Sequence, residues 1–100
     1  MIPRQAKRDQ SEPAIIETLE SLGYSVLRLS VKDGPDLVAA KKGVVCVNND
    51  GTNLYGPEVL FIECKTGKGK LRPGQQKFAE RWPVKVYCWR TPQDVLDALT

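Results

Sequence analysis

Apolar residues along the chain switch between two spacings, and the switch points divide it into short elements. Over residues 11–22, Ile15, Ile16, Leu19 and Leu22 recur at the spacing of one helix face. Ser11 stands where an N-cap is expected, Pro13 falls in the tolerant first turn, and Gly23 ends the run. Residues 24–29, 37–40, 44–47 and 59–65 read as strands, the last carrying the strongest apolar run. Lys41-Lys42-Gly43 is expected to turn the second strand into the third. Residues 48–57, with two Gly, three Asn and one Asp, are expected to form a loop. A helix over 73–82 places Phe78, Ala79 and Trp82 on one side, and residues 84–89 form a fifth strand. Thr91-Pro92-Gln93-Asp94 opens a last helix packed by Val95, Leu96 and Leu99. The predicted order is α-β-β-β-β-α-β-α, an α/β arrangement with a mixed central sheet flanked by helices.

One hundred residues make one domain. Residues 1–10, polar and basic without periodicity, are expected to be a flexible arm, and 11–100 the domain. A hydrophobic fraction of 41% covers a sheet with a few helices but leaves little for a deep pocket. Action on a substrate is therefore expected at the surface, on something large, or across a dimer. Cys46, Cys64 and Cys88 are widely spaced and lie in apolar runs, as reduced thiols in an intracellular protein do. There is no charged-then-apolar leader and no long apolar run, so neither secretion nor membrane spanning is expected. No histidine is present. His-based nucleases, catalytic triads and the usual zinc sites are thereby excluded, which leaves carboxylates, lysine and a hard cation for any hydrolytic chemistry.

Glu63 and Lys65 are two apart on the fourth predicted strand, so both side chains leave one face, while Cys64 points with Leu60 and Ile62 into the apolar layer. Asp36 follows Pro35, which keeps the chain extended at the mouth of the neighbouring strand. Two carboxylates from adjacent strands suit magnesium, which takes oxygen ligands and retains several waters. The Cys64 backbone carbonyl is a further candidate ligand. Such a cation polarises a phosphodiester and acidifies water, and Lys65 is placed to orient that water or neutralise charge growing in the transition state.

Gly34-Pro35-Asp36-Leu37-Val38-Ala39 followed by Leu60-Phe61-Ile62-Glu63-Cys64-Lys65 resembles the signature of the PD-(D/E)XK nuclease superfamily. Leu71-Arg72-Pro73-Gly74-Gln75-Gln76-Lys77-Phe78 is similar to the L-x-P-x-Q-x-x-F segment of its VRR-NUC branch and the related Holliday junction resolvases. The resemblance runs from Glu12 to Leu99. It implies a restriction-endonuclease-like fold, Glu12 as a helical acid near the metal, and Gln75 rather than Gln76 facing the site. It also implies Ser30 as a contact to the scissile phosphate, Mg²⁺ as cofactor with Mn²⁺ as substitute, and a homodimer that sets two sites on one junction.

The net charge of +3 is modest, but its distribution is not even. Arg4, Lys7 and Arg8 crowd one end, and Lys68, Lys70 and Arg72 follow the Glu63–Lys65 strand, as phosphate-binding cations do. No helix carries an evident set of base-reading side chains, so recognition of DNA shape is expected over recognition of sequence. The expected activity is a structure-selective endonuclease, most simply a Holliday junction resolvase in the cytoplasm of a prokaryote or a virus-infected cell. Two alternatives remain open: a general or flap nuclease, and an inert DNA-binding module that keeps the nuclease fold.

Overall fold

The computed structural model describes residues 9–47, 49–51 and 53–100, with the backbone alone of 44–47 and 53–56. Its elements run α1 (Glu12–Ser21), β1 (Ser25–Arg28), β2 (Leu37–Val47), β3 (Asn53–Cys64), α2 (Pro73–Arg81), β4 (Val86–Trp89) and α3 (Pro92–Leu99). The strands lie in the order β1-β2-β3-β4, antiparallel across the first two seams and parallel across the third. A parallel neighbour requires a crossover rather than a hairpin, and α2 provides it. Among the described residues the class is α/β, a four-stranded mixed sheet with three helices.

The sheet has four strands where the sequence pattern predicts five. Lys41-Lys42-Gly43 does not turn the chain. β2 runs straight through it, with Lys41 opposite Glu58, Lys42 opposite Pro57 and Gly43 opposite Gly56. Composition made this tripeptide look like a turn, but a tight hairpin needs positive φ, which Gly43 lacks. The reversal comes later, around Asn49-Asp50-Gly51, where Gly51 has φ of 85°. Residues 53–57, expected in a loop, are the first part of β3. The true order is therefore α-β-β-β-α-β-α. The two basic residues and Gly-rich stretches lie along one long β2–β3 ribbon with a register shift between Val44 and Cys46.

Alternation along β2 and β3 separates the layers. Leu37 and Ala39 pair with Ile62 and Leu60, and these join Cys64, Trp89, Ile15 and Leu19 of α1, and Val95 of α3 in one buried core. Helices α1 and α3 thus cover this face. Phe61, on the opposite face, meets Trp82 edge to face at 5.3 Å, and Trp82 stacks on Phe78 of α2 at 5.1 Å. Helix α2 covers that second face.

The first helix is capped earlier than Ser11 suggests. Ser11 is itself helical in backbone and makes no capping bond. Asp9 instead accepts the Ser11 N–H on Oδ1 at 3.0 Å and the Glu12 N–H on its carbonyl at 3.1 Å. The last helix starts as predicted. Thr91 Oγ1 accepts the Asp94 N–H at 3.2 Å and Asp94 Oδ2 accepts the Thr91 N–H at 3.2 Å, the reciprocal bonds of a capping box. Thr91→Ala is expected to lower unfolding stability by about 1 kcal/mol, measured by urea titration. Thr91→Ser should keep most of it.

Candidate active site

The Glu63–Lys65 pair sits at the end of β3, where three elements converge. Backbone pairing carries on past the strand, with Lys65 N–H donating to the Trp89 carbonyl at 3.0 Å. Asp36 immediately precedes β2, and its N–H donates to the Ile62 carbonyl at 2.9 Å. The antiparallel register therefore sets Asp36 beside Glu63. Its Oδ2 accepts the Cys64 N–H at 2.7 Å, a short charge-assisted bond that fixes the carboxylate.

Gln75, in the first turn of α2, closes the cluster. Its Nε2 donates to Glu63 Oε2 at 3.2 Å, while its Oε1 accepts from Lys65 Nζ at 3.0 Å and from the Arg72 N–H at 2.9 Å. One buried amide thus holds the acid, the lysine and its own helix terminus together. Gln76, one position on, is exposed and donates to the Leu71 carbonyl at 3.0 Å. The electrostatics follow from this crowding. Burial first, and then the Asp36 carboxylate with its shared hydrogen bond, push Glu63 from 4.5 to about 8. Lys65 and Arg72 offset only part of that rise. At neutral pH Glu63 therefore holds a proton and donates it to Asp36, as paired carboxylates do when they cannot both ionise.

Glu12 is buried on α1, and its Oε1 accepts from Arg28 Nε at 2.9 Å. Its charge does reach the Cys64 thiol, which burial, followed by the carboxylates of Asp36, Glu12, Asp9 and Glu63, pushes far up. Cys64 is consequently an inert buried thiol. Ser30 is exposed, one residue past Leu29, whose N–H donates to the Asp36 carbonyl at 2.8 Å. Lys68 and Lys70 are exposed on the loop after β3. Arg72 is partly engaged, at 3.6 Å from Asp33 Oδ1. Arg4, Lys7 and Arg8 lie outside the described residues.

Several supporting residues carry no motif signal. Arg90 donates to the Gly67 carbonyl through Nε at 2.9 Å and to the Gly69 carbonyl through Nη2 at 2.6 Å, so it shapes the lysine loop. The Thr66 hydroxyl donates to Asp9, joining that loop to the start of α1. Asp33 adopts φ of 60°, which swings its carboxylate against the N-terminal end of α2. Gly74 is what admits it, since a Cβ there would stand 2.5 Å from Asp33 Oδ2. Only Asp33-Gly34, a turn dipeptide, hinted at this in the sequence.

Among the described residues no group of three or more His, Cys, Asp or Glu side chains is gathered as a metal site. The donor set of Asp36 and Glu63 nevertheless fits a hard divalent cation. Two adjacent carboxylates forced to share a proton are the groups that a cation replacing that proton would relieve, and magnesium needs only one or two from the protein. No helix of the described residues is long and apolar enough to cross a membrane. Compared with known proteins, the chain matches no family model, no curated protein and no solved structure.

Proposed function

We propose that this chain is a divalent-metal-dependent DNA endonuclease of the PD-(D/E)XK kind, with a restriction-endonuclease-like fold and branched DNA as its substrate. The observation that carries the reading is the Asp36–Glu63 pair tied through one amide to Lys65. Asp36 and Glu63 are the residues that would hold Mg²⁺ or Mn²⁺. When bound, that ion supplies Lewis-acid assistance to phosphodiester hydrolysis.

The remaining work falls to the chain. The Cys64 N–H fixes Asp36, and Gln75 fixes both Glu63 and Lys65, so the constellation is organised before substrate arrives. Lys65 bonds to a neutral amide oxygen rather than to a carboxylate, which leaves its remaining N–H groups to a phosphate oxygen. Lys68, Lys70 and Arg72 lie next along the chain, where phosphate contacts position a duplex without reading it. On the same reading Glu12 is the helical acid near the metal and Ser30 the hydroxyl that contacts the scissile phosphate. Symmetric cutting of a four-way junction requires two such sites, and an isologous homodimer provides them.

Incubation of the protein with labelled four-way junctions, 5′ flaps and linear duplex, with Mg²⁺, with Mn²⁺ and with chelator, tests the reading. Paired symmetrical nicks in the junction, lost on chelation, are the expected result. Preferential cutting of flaps would move the substrate from junctions to flaps. Binding without cleavage of any substrate in either metal would leave an inert DNA-binding module and overturn the enzyme.

A further inference from the structure

Along α2, from Gly74 to Trp82, runs a second surface feature that the catalytic cluster does not use. A groove of about 300 Å³ is lined by Asp33, Gly74, Lys77, Phe78, Arg81 and Trp82, which puts it at the small end of ligand pockets. Trp82 is 37% exposed although it is one of the largest apolar side chains in the chain. Phe78 and Trp82 stack with 21° between their planes, and Phe61 supports Trp82 from the sheet. Lys77 and Arg81, four residues apart on one edge of the helix, are exposed and have no ion-pair partner among the described residues. At the other side, Asp33 is held in a left-handed conformation against Gly74.

We propose that this groove is a subsite for one unpaired nucleobase of the DNA strand held at the catalytic cluster. The inference rests on the nuclease reading and adds the form of substrate it takes. A supported aromatic pair offers a flat π surface for a base, the adjacent cations meet the phosphates on either side of it, and the carboxylate accepts from a base amino group. An aliphatic or lipid ligand has no use for that carboxylate, and a base inside a continuous duplex cannot reach the ring. Gln75 touches Glu63 and Lys65, and Trp82 lies seven residues further along. That is about 10 Å of helix rise, or roughly three stacked nucleotides at ~3.4 Å each. The selected DNA is therefore one with unpaired bases about three nucleotides from the cut, as at a frayed junction or a flap.

Tryptophan emission measures this directly, because Trp89 is buried and Trp82 is exposed. The full chain is titrated in chelator with a single-stranded 12-nucleotide DNA and with the same length of abasic sugar-phosphate. The base-containing strand is expected to quench emission and to bind at least fivefold more tightly than the abasic one. Trp82→Ala should remove the quench and the fivefold preference, while Trp82→Phe, which keeps a ring and the packing on Phe61, should retain the preference. Equal affinity for the two strands in the wild-type protein, or a preference that survives Trp82→Ala in a folded variant, overturns the subsite. Emission that changes with protein concentration alone, together with a dimer lost in Trp82→Phe, would assign the groove to self-association and overturn it as well. Failure of the nuclease reading shows separately, as quenching by the base-containing strand with no cleavage of any DNA in Mg²⁺.

Discussion

Glu63→Gln is expected to raise the melting temperature at pH 8 and to reduce metal-dependent cleavage at least a hundredfold. The two effects have one cause. Glu63 is a buried acid whose pKa is lifted from 4.5 to about 8 by burial and by Asp36, so its neutral form is the one the fold prefers. Glutamine imitates that form. Its amide can donate to Asp36 as the protonated acid does, and its oxygen can accept from Gln75 Nε2 where Glu63 Oε2 now does. The sign with pH follows from linkage. Below about 4.5 both folded and unfolded wild-type protein carry the proton, and the variant has no advantage. Between 4.5 and about 8 the unfolded chain has released the proton while the folded one retains it, so wild-type stability falls as pH rises. The melting-temperature gap should therefore open through this window and level off above it, at ~4–8 °C for each kcal/mol relieved in a domain of this size. Saturating Mg²⁺ should raise the wild-type melting temperature and leave the variant unmoved. A variant no more stable than wild type at pH 8 would show that Glu63 is not held protonated, and a metal response kept by the variant would remove Glu63 from the ligand set.

Lys65→Ala should separate charge stabilisation from metal binding. The ammonium is fixed at 3.0 Å from the Gln75 amide oxygen and makes no bond to Glu63, so its removal leaves Asp36 and Glu63 in place. Cleavage is expected to fall by about 100- to 1,000-fold, the usual cost of losing one fixed charge stabiliser in a transition state. The Mg²⁺-induced rise in melting temperature should survive, because it depends on the carboxylates alone. Lys65→Arg should recover little, since a planar fork does not replace a compact ammonium set against an amide. Cleavage within tenfold of wild type in Lys65→Ala would displace the lysine from the chemistry.

What could be seen in the sequence and what could not divide along the range of the interaction. The two-residue spacing of Glu63 and Lys65 placed them on one face and sent Cys64 into the core, because strand alternation is local. The box at Thr91 and Asp94 is local too, and both of its bonds form. The element order failed at Lys41-Lys42-Gly43, where composition favours a turn and only pairing with Glu58, Pro57 and Gly56 makes a strand. Asp33 against Gly74, Arg90 on the lysine loop and Arg28 on Glu12 join residues separated by long stretches of chain. No spacing rule connects them. The Trp82 groove was equally hidden, since periodicity puts Trp82 beside Phe78 but does not say how much of the ring the sheet leaves uncovered.

The β2–β3 ribbon divides the sheet into a four-stranded part and a two-stranded part. Among the described residues β1 pairs only with 37–40 and β4 only with 61–64, so from Lys41 to Val47 and from Asn53 to Glu58 each strand has the other as its sole neighbour there. Tyr24 clamps the root of this stretch, with Lys41 over its ring at 4.6 Å and the Glu58 carboxylate near its phenol, burial and that carboxylate pushing the phenol up to about 12. Beyond the clamp, a two-stranded ribbon is marginal on its own. Amide protection along β2 and β3 should therefore fall from the global value to near zero within a few residues, a step in opening free energy inside single strands. A region that opens without unfolding the core can bend along a long polyanion while Asp36 and Glu63 stay fixed at the other end of the same two strands. On the proposed reading the sheet is thus rigid at the carboxylate pair and compliant at its reach.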